Sequence, residues 1–262
     1  MRTLGKRVWG NPPRVRIPPF PPMKKHLFFY IIILFLLVVF GFLLFKIEKY
    51  KQENKNLSDQ ITIIQQPTQL ILDVPYINEA PDGNFSGNWK NACEEASIAM
   101  VEKYYLGEKS VSIEEAKNYM QNLFDIEDRL YNTNASSDAA RTAEIINNYT
   151  LFKATVKDNP TITDIKKQIV KNRPVISLHY GFDLKNKDIP FAINGSYYHM
   201  LVIVGYDDAT KEFVTNDDGD MKNGKNHRYG YDLFMNSLHD YNLVLNKTNG
   251  PARVIFTNPN KN

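Results

Sequence analysis

The hydrophobic pattern of this chain changes character three times along its length. From Leu27 to Phe45 it is an unbroken apolar run without a charge or a proline. At 1.5 Å per residue such a run spans about 28 Å as a helix, close to the apolar thickness of a bilayer. Residues 46 to 66 are polar and charged. From there to about residue 171 the apolar positions fall at helical spacing. The predicted helices are Ala92 to Leu106, which stops at Gly107; Ser112 to about Phe124, with Glu115 completing a capping-box pattern; Ser136-Ser137-Asp138 through Asn148; and Thr161 or Thr163 through Lys171. Cys93, Ala96, Met100 and Tyr104 share one face of the first, which reads as amphipathic.

The last third carries short apolar runs of strand length: Pro174–Leu178, His199–Tyr206, Glu212–Thr215 and Ala252–Thr257, interrupted by a helix from Tyr231 to Asp240. An earlier strand, Gln69–Tyr76, precedes a loop from Asn78 to Asn88. Helices first and strands later argue for an α+β domain rather than a doubly wound sheet. No internal repeat is present.

The pattern divides the chain into a basic tail (1–25), an apolar anchor (26–46), a stalk that is helical near the membrane (47–66) and one domain (67–262). No small-residue cleavage site comes after the apolar run, so an uncleaved transmembrane anchor is expected rather than a removed signal peptide. Seven Lys and Arg residues precede the span (Arg2, Lys6, Arg7, Arg14, Arg16, Lys24, Lys25); four lysines come after it, interleaved with Glu48 and Glu53. This bias predicts a cytoplasmic N-terminus and an extracytoplasmic domain at a bacterial-type cell membrane, with membrane lipid as a partner. The positive net charge of +3 comes from that tail, and the rest is roughly balanced or slightly acidic, which excludes a nucleic-acid footprint.

One cysteine, Cys93, occurs in the chain, so no intramolecular disulfide forms. It stands at a predicted helix N-terminus, where the helix dipole favours a thiolate and backbone N–H groups face a bound carbonyl. Glu94 and Glu95 oppose the thiolate by like-charge repulsion, so an imidazolium nearby becomes a requirement. His26 lies at the membrane edge, and His227 and His239 read as solvent-facing. His179 and His199 are comparable as strand histidines. The acid beyond His199 separates them, because the next strand brings Asn216 and Asp217 back beside it. The loop Asn216–Asp220 departs from the spacing of an EF-hand and reads as a solvated turn. No paired Cys or His spacing supports a zinc site, and neither metal nor cofactor is expected. Tyr104-Tyr105 and Tyr197-Tyr198 read as core or rim residues.

Four stretches together resemble the C-thirty-nine-like family of cysteine peptidases: Asp73-Val74-Pro75-Tyr76, Ala92 to Met100, His199 to Asp207, and Val214 to Asp217. Lys171 to Ile176 is similar to that family's strand before the histidine segment. The resemblance covers roughly residues 69 to 257 and implies a papain-like fold. It implies Cys93 as nucleophile, His199 as general base and then acid, and Asp217 as the residue that holds the imidazole, with Asn216 as the close alternative. Two departures stand out. Cys93-Glu94-Glu95 replaces the family's Cys-Gly-Pro, and Glu79 stands where a glutamine completes the oxyanion hole. A carboxylate donates no hydrogen bond unless protonated; Asn78, Asn88 or Asn91 are alternative amide donors.

Three functions are expected, in this order: a membrane-anchored thiol peptidase acting on a peptide or protein substrate, a degenerate member that binds peptides without cutting, and a thiol amidase on cell-wall peptide.

Overall fold

The architecture is organised by one strand, β4 (Tyr198–Asp207), in which all ten residues are buried. A computed structural model describes residues 25–64, 67–133, 136–189 and 198–260. The basic tail before Lys25, the side chain of His26, and Tyr197 lie outside the described residues.

Beside β4 run β3 (Val175–Tyr180) on one edge and β5 (Glu212–Asn216) on the other. The described strands form an antiparallel sheet in the order β2 (Phe152–Asp158), β7 (Arg253–Pro259), β3, β4, β5, β6 (His227–Gly230). β1 (Gln69–Ile71) pairs with the far end of β4, Ile71 lying opposite Gly205. A Cβ on Gly205 would fall 2.5 Å from the Leu70 carbonyl oxygen and 2.9 Å from Ile71 Cα, so this close approach of two backbones requires glycine. β1 is shorter than the apolar run predicts. Beyond Ile71 the chain turns, Val74 N–H donating to the Leu72 carbonyl, and Pro75 has no N–H to offer a ladder.

Helices α2 (Cys93–Tyr105), α3 (Ile113–Tyr131) and α4 (Ala139–Tyr149) supply the N-terminal half. The domain is α+β, with a helical first half and an antiparallel sheet after it. The caps match the sequence: Ser112 Oγ accepts from Glu115 N–H, Asp138 from Arg141 N–H, and Thr161 with Asp164 forms a full capping box for α5 (Ile162–Val170). α3 outruns its expected end because Ile126 and Glu127 continue its buried face; Asn132, in the left-handed conformation, stops it.

α2 departs from expectation in kind. Every residue from Cys93 to Lys103 is buried, so it is a core helix rather than an amphipathic one. It lies against β4 and α3. Short elements that the pattern did not predict are β2, β6 and the single turn α6 (Gly181–Leu184); α7 (Tyr231–Ser237) ends earlier than expected.

The chain divides after Ile64 into two compact units. The first contains α1 (Lys25–Ile64), one helix of 40 residues, long and apolar enough over its first part to cross a membrane. It continues through the polar segment, where Lys51–Glu48 and Lys49–Glu53 pairs support it.

Replacing Gly205 by Ala is expected to lower the domain's stability by about 1–3 kcal/mol, because β1 must move off β4. Urea unfolding measures it; an unchanged midpoint would show that the β1–β4 contact yields without cost.

Candidate active site

The site is assembled where α2 begins. A 3-10 turn, Gly87–Lys90, delivers the chain to Ala92, and Cys93 opens the helix with a side chain only 4% exposed. Its thiol donates to Glu94 Oε2 at 3.1 Å. The other oxygen, Glu94 Oε1, accepts the Ser137 N–H at 2.8 Å, and Ser137 Oγ donates to Glu127 Oε1. The residue after the cysteine is therefore fastened to α3 and to the approach of α4.

The pairing of β3 with β4 sets His179 opposite His199. Their surroundings differ. His179 Nδ1 lies 2.8 Å from Ser237 Oγ and Nε2 lies 2.9 Å from Ser177 Oγ, so hydroxyls occupy both ring nitrogens. Burial pushes its pKa well below the usual imidazole value, with the facing His199 adding to the effect. His199 instead directs Nε2 at Asp217 Oδ1, 2.7 Å away, and both side chains are buried. Asp217 Oδ2 accepts from Tyr229 Oη and Asn186 Nδ2. Burial alone would raise this carboxyl; His199 and the donors from Tyr229 and Asn186 outweigh it and hold the pKa at about 2.

Asn216, the alternative partner, is engaged elsewhere. Its Nδ2 donates to the carbonyls of Val74 and Pro75, and its Oδ1 accepts from Asn226 N–H. The loop expected to be solvated turns inward instead, because its acids have protein partners: Asp217, Asp218 and Asp220 are all buried. Asp218 Oδ2 accepts from Ser97 Oγ, one turn along α2 from Cys93, and its Oδ1 lies 3.9 Å from His199 Nε2. Gly224 makes this fold of the loop feasible, since a Cβ there would meet the Asp217 and Asp220 carbonyls at 2.1 and 2.4 Å. Donor atoms of His199, Asp217 and Asp218 lie within 4.8 Å of one another, the grouping among the described residues nearest to a metal-ligand set. Two of the three already hydrogen-bond each other.

Glu79 is 2% exposed, and its Oε1 has no hydrogen-bond partner among the described residues. Burial first, then the charges of Asp217 and Glu94, push its pKa well above the carboxylate range. Asp218 and Glu95 are raised in the same way. For Glu94 burial and Glu127 set the value at about 7. The thiol of Cys93 is pushed up by burial, then by Glu94, Asp218 and Glu79. Burial, with the surrounding acids adding to it, thus works against the thiolate that a helix N-terminus favours. Of the alternative amide donors, Asn78 is committed to the Asp218 carbonyl and to Tyr76 Oη, while Asn88 and Asn91 are exposed.

His227 lies on β6 and His239 Nδ1 donates to the Gly250 carbonyl; both are half-buried, not solvent-facing. Tyr198, adjacent to His199, lines an open cavity of about 610 Å³ with Tyr180 and Tyr241. Its hydroxyl donates to the Ser137 carbonyl. Ser97, Ser137, Asn186, Tyr229 and Asp218 escaped the sequence reading. Only the acid-rich loop offered a signal, and buried polar partners leave no periodicity.

Residues 71–246 match the Peptidase_C39 like family, and the chain belongs to that family. Among solved structures, the crystal structure of a candidate C39-like peptidase from Bacillus anthracis aligns with a TM-score of 0.48 and 16% identity, over 74% of this chain and 99% of its own. No curated protein matches the sequence.

The buried acids give the domain a pH-dependent stability. A carboxyl whose pKa rises on folding confers stability that is complete below its unfolded value and lost as pH climbs through the folded one. Glu79, Glu94, Glu95 and Asp218 belong to this class. His179, lowered on folding, acts oppositely, but its contribution is complete once pH exceeds about 6.5. The thermal midpoint of the domain is thus expected to fall as pH rises from about 6.5 through the folded Glu94 value of about 7, and to fall less in Glu79→Gln. Calorimetry at several pH values checks it; a midpoint that rises over that range contradicts the protonation of these acids.

Proposed function

We propose that this protein is a membrane-anchored thiol peptidase that cleaves peptide bonds through Cys93, His199 and Asp217. The observation that carries the reading is the buried His199 Nε2–Asp217 Oδ1 hydrogen bond of 2.7 Å, set in the same acidic pocket as the cysteine that opens α2. With Nε2 turned to the carboxylate, Nδ1 is the nitrogen that exchanges protons with the reacting groups. Asp217, ionised down to about pH 2, fixes the ring and balances an imidazolium. The sulfur attacks the substrate carbonyl, His199 protonates the leaving amine, and water then hydrolyses the thioester with His199 as base.

Glu79 resolves the missing glutamine. Burial pushes the Glu79 carboxyl toward its protonated form, and in that form its O–H donates where the amide N–H would. The oxyanion hole is then formed by Glu79 and the backbone N–H of Cys93. The tyrosine-lined cavity beside Tyr198 receives the peptide. Family membership and the α+β fold support a peptidase-like role. α1 supports an anchor, and the excess of Lys and Arg before its apolar part supports an extracytoplasmic domain.

A second reading draws on one observation, the neutral thiol held by Glu94, which fits a member that binds peptides without cutting. Peptide-library cleavage by the full chain in detergent separates the two. Cys93→Ala and His199→Ala are expected to abolish cleavage while peptide binding persists. Asp217→Asn is expected to lose about 10²–10⁴-fold in kcat, as an imidazole without its orienting carboxylate does. Cleavage that survives Cys93→Ala would refute the peptidase assignment, and binding without any cleavage by the native chain would favour the second reading.

Glu79 has its own signature. Glu79→Ala is expected to lower kcat by about 10²–10³-fold. Glu79→Gln should keep activity and carry it to higher pH, because an amide does not ionise. A Gln variant as impaired as the Ala variant would remove Glu79 from the oxyanion hole.

A further inference from the structure

In a simple triad the Cys93 proton passes to His199, yet the hydrogen-bond partner of the thiol is Glu94. Cys93 is a neutral thiol in a field of acids, and its hydrogen points at the neighbouring Glu94 rather than into open solvent. We infer that Glu94 is a catalytic base, the group that takes the thiol proton as Cys93 attacks. This deepens the peptidase reading and rests on it, moving the first proton transfer from His199 to Glu94.

Three observations support the assignment. The contact is direct, Sγ to Oε2 at 3.1 Å, between two side chains buried to 4% and 2% exposure. The carboxylate is held in place from its far side, Oε1 accepting the Ser137 N–H at 2.8 Å, so its free orientation is spent on the sulfur. Its basicity is also suited to the task. A carboxylate of ordinary pKa is too weak a base for a thiol, whereas one raised to about 7 sits near physiological pH. Burial is the main cause of that rise, and four acids lie around the carboxyl. Glu127 of α3 repels its charge, Glu95 adjoins it on α2, and Glu79 and Asp218 approach from the two loops. Tyr198 of β4 and Tyr241, beyond α7, close the remaining side as neutral phenols.

The cycle balances. As the Cys93 sulfur bonds to the carbonyl carbon, the thiol proton passes to Glu94 and the π pair moves to the carbonyl oxygen. When the C–N bond breaks, the amine takes a proton from the His199 imidazolium. In the second half His199 takes a proton from water as the new C–O bond forms. The C–S bond then breaks and Cys93 recovers its proton from Glu94. Two bases with separate duties replace the single shuttle of a thiolate–imidazolium pair.

Alkylation tests this without any substrate, since Cys93 is the chain's single cysteine. The full chain in detergent is treated with iodoacetamide from about pH 5.5 to about pH 10. The native protein is expected to show a rise in rate through about pH 7, following Glu94 rather than the thiol. Glu94→Gln should lose that rise and react at least about tenfold more slowly at neutral pH. Glu94→Asp should retain part of it, and His199→Ala should keep it. Simple electrostatics predicts the opposite sign, because removing a negative charge beside a thiol eases its ionisation. A Glu94→Gln protein that alkylates as fast as native or faster overturns the proposal, as does loss of the rise in His199→Ala alone. Should Glu94→Gln fail to fold, the native and His199→Ala profiles decide by the same criterion. Failure here leaves peptide cleavage by Cys93 to be judged by its own variants.

Discussion

Burying carboxyl groups without matching cations is the constraint around which this domain is built. Glu79, Glu94, Glu95, Glu127, Asp217 and Asp218 are all withdrawn from solvent near the start of α2. Among the described residues no Lys or Arg forms an ion pair with any of them. Charge at such density in a low-dielectric interior is untenable unless most of the groups keep their protons. Asp217 is the exception, because an imidazole, a phenol and an amide converge on it. One ionised acid among several protonated ones is an asymmetry that separates roles, as carboxyls of differing environment do in acid–base catalysis generally.

The helix that carries Cys93 shares in this arrangement. An exposed helix N-terminus would hand its dipole to the sulfur; a buried one surrounded by acids does not. The side chains at its start instead tie it to the rest of the fold: Glu94 to Ser137, Ser97 to Asp218. The same hydrogen bonds that stabilise the interior thus fix the position of Cys93.

Much of this was legible in the sequence, and the remainder was hidden for identifiable reasons. Caps at Ser112, Asp138 and Thr161 are local, set by a side chain and an N–H three residues on, so they could be read directly. The strand after His199 pointed to Asn216 and Asp217 together, and the preference for Asp217 came from the family resemblance. By contrast β2 and β6 are edge strands of mixed polarity, recognisable only from their partners β7 and β5. α2 looked amphipathic because its acids are counted as polar; the sequence does not reveal that Glu94 and Glu95 are buried. His179 resembled His199 in pattern and differs through Ser237, 58 residues away along the chain.

Tyr76 adds a consequence of its own. Its hydroxyl sits inside the acid-rich loop, donating to the Asp220 carbonyl at 2.7 Å and lying 3.2 Å from the Asp217 carbonyl, while Asn78 donates back to it. Loops of this kind often curl around a cation that gathers their oxygens. Here a phenolic hydrogen, covalently part of the chain, does the gathering. The conformation that aims Asp217 at His199 is accordingly held by a side chain of the domain itself, set in place as the chain folds.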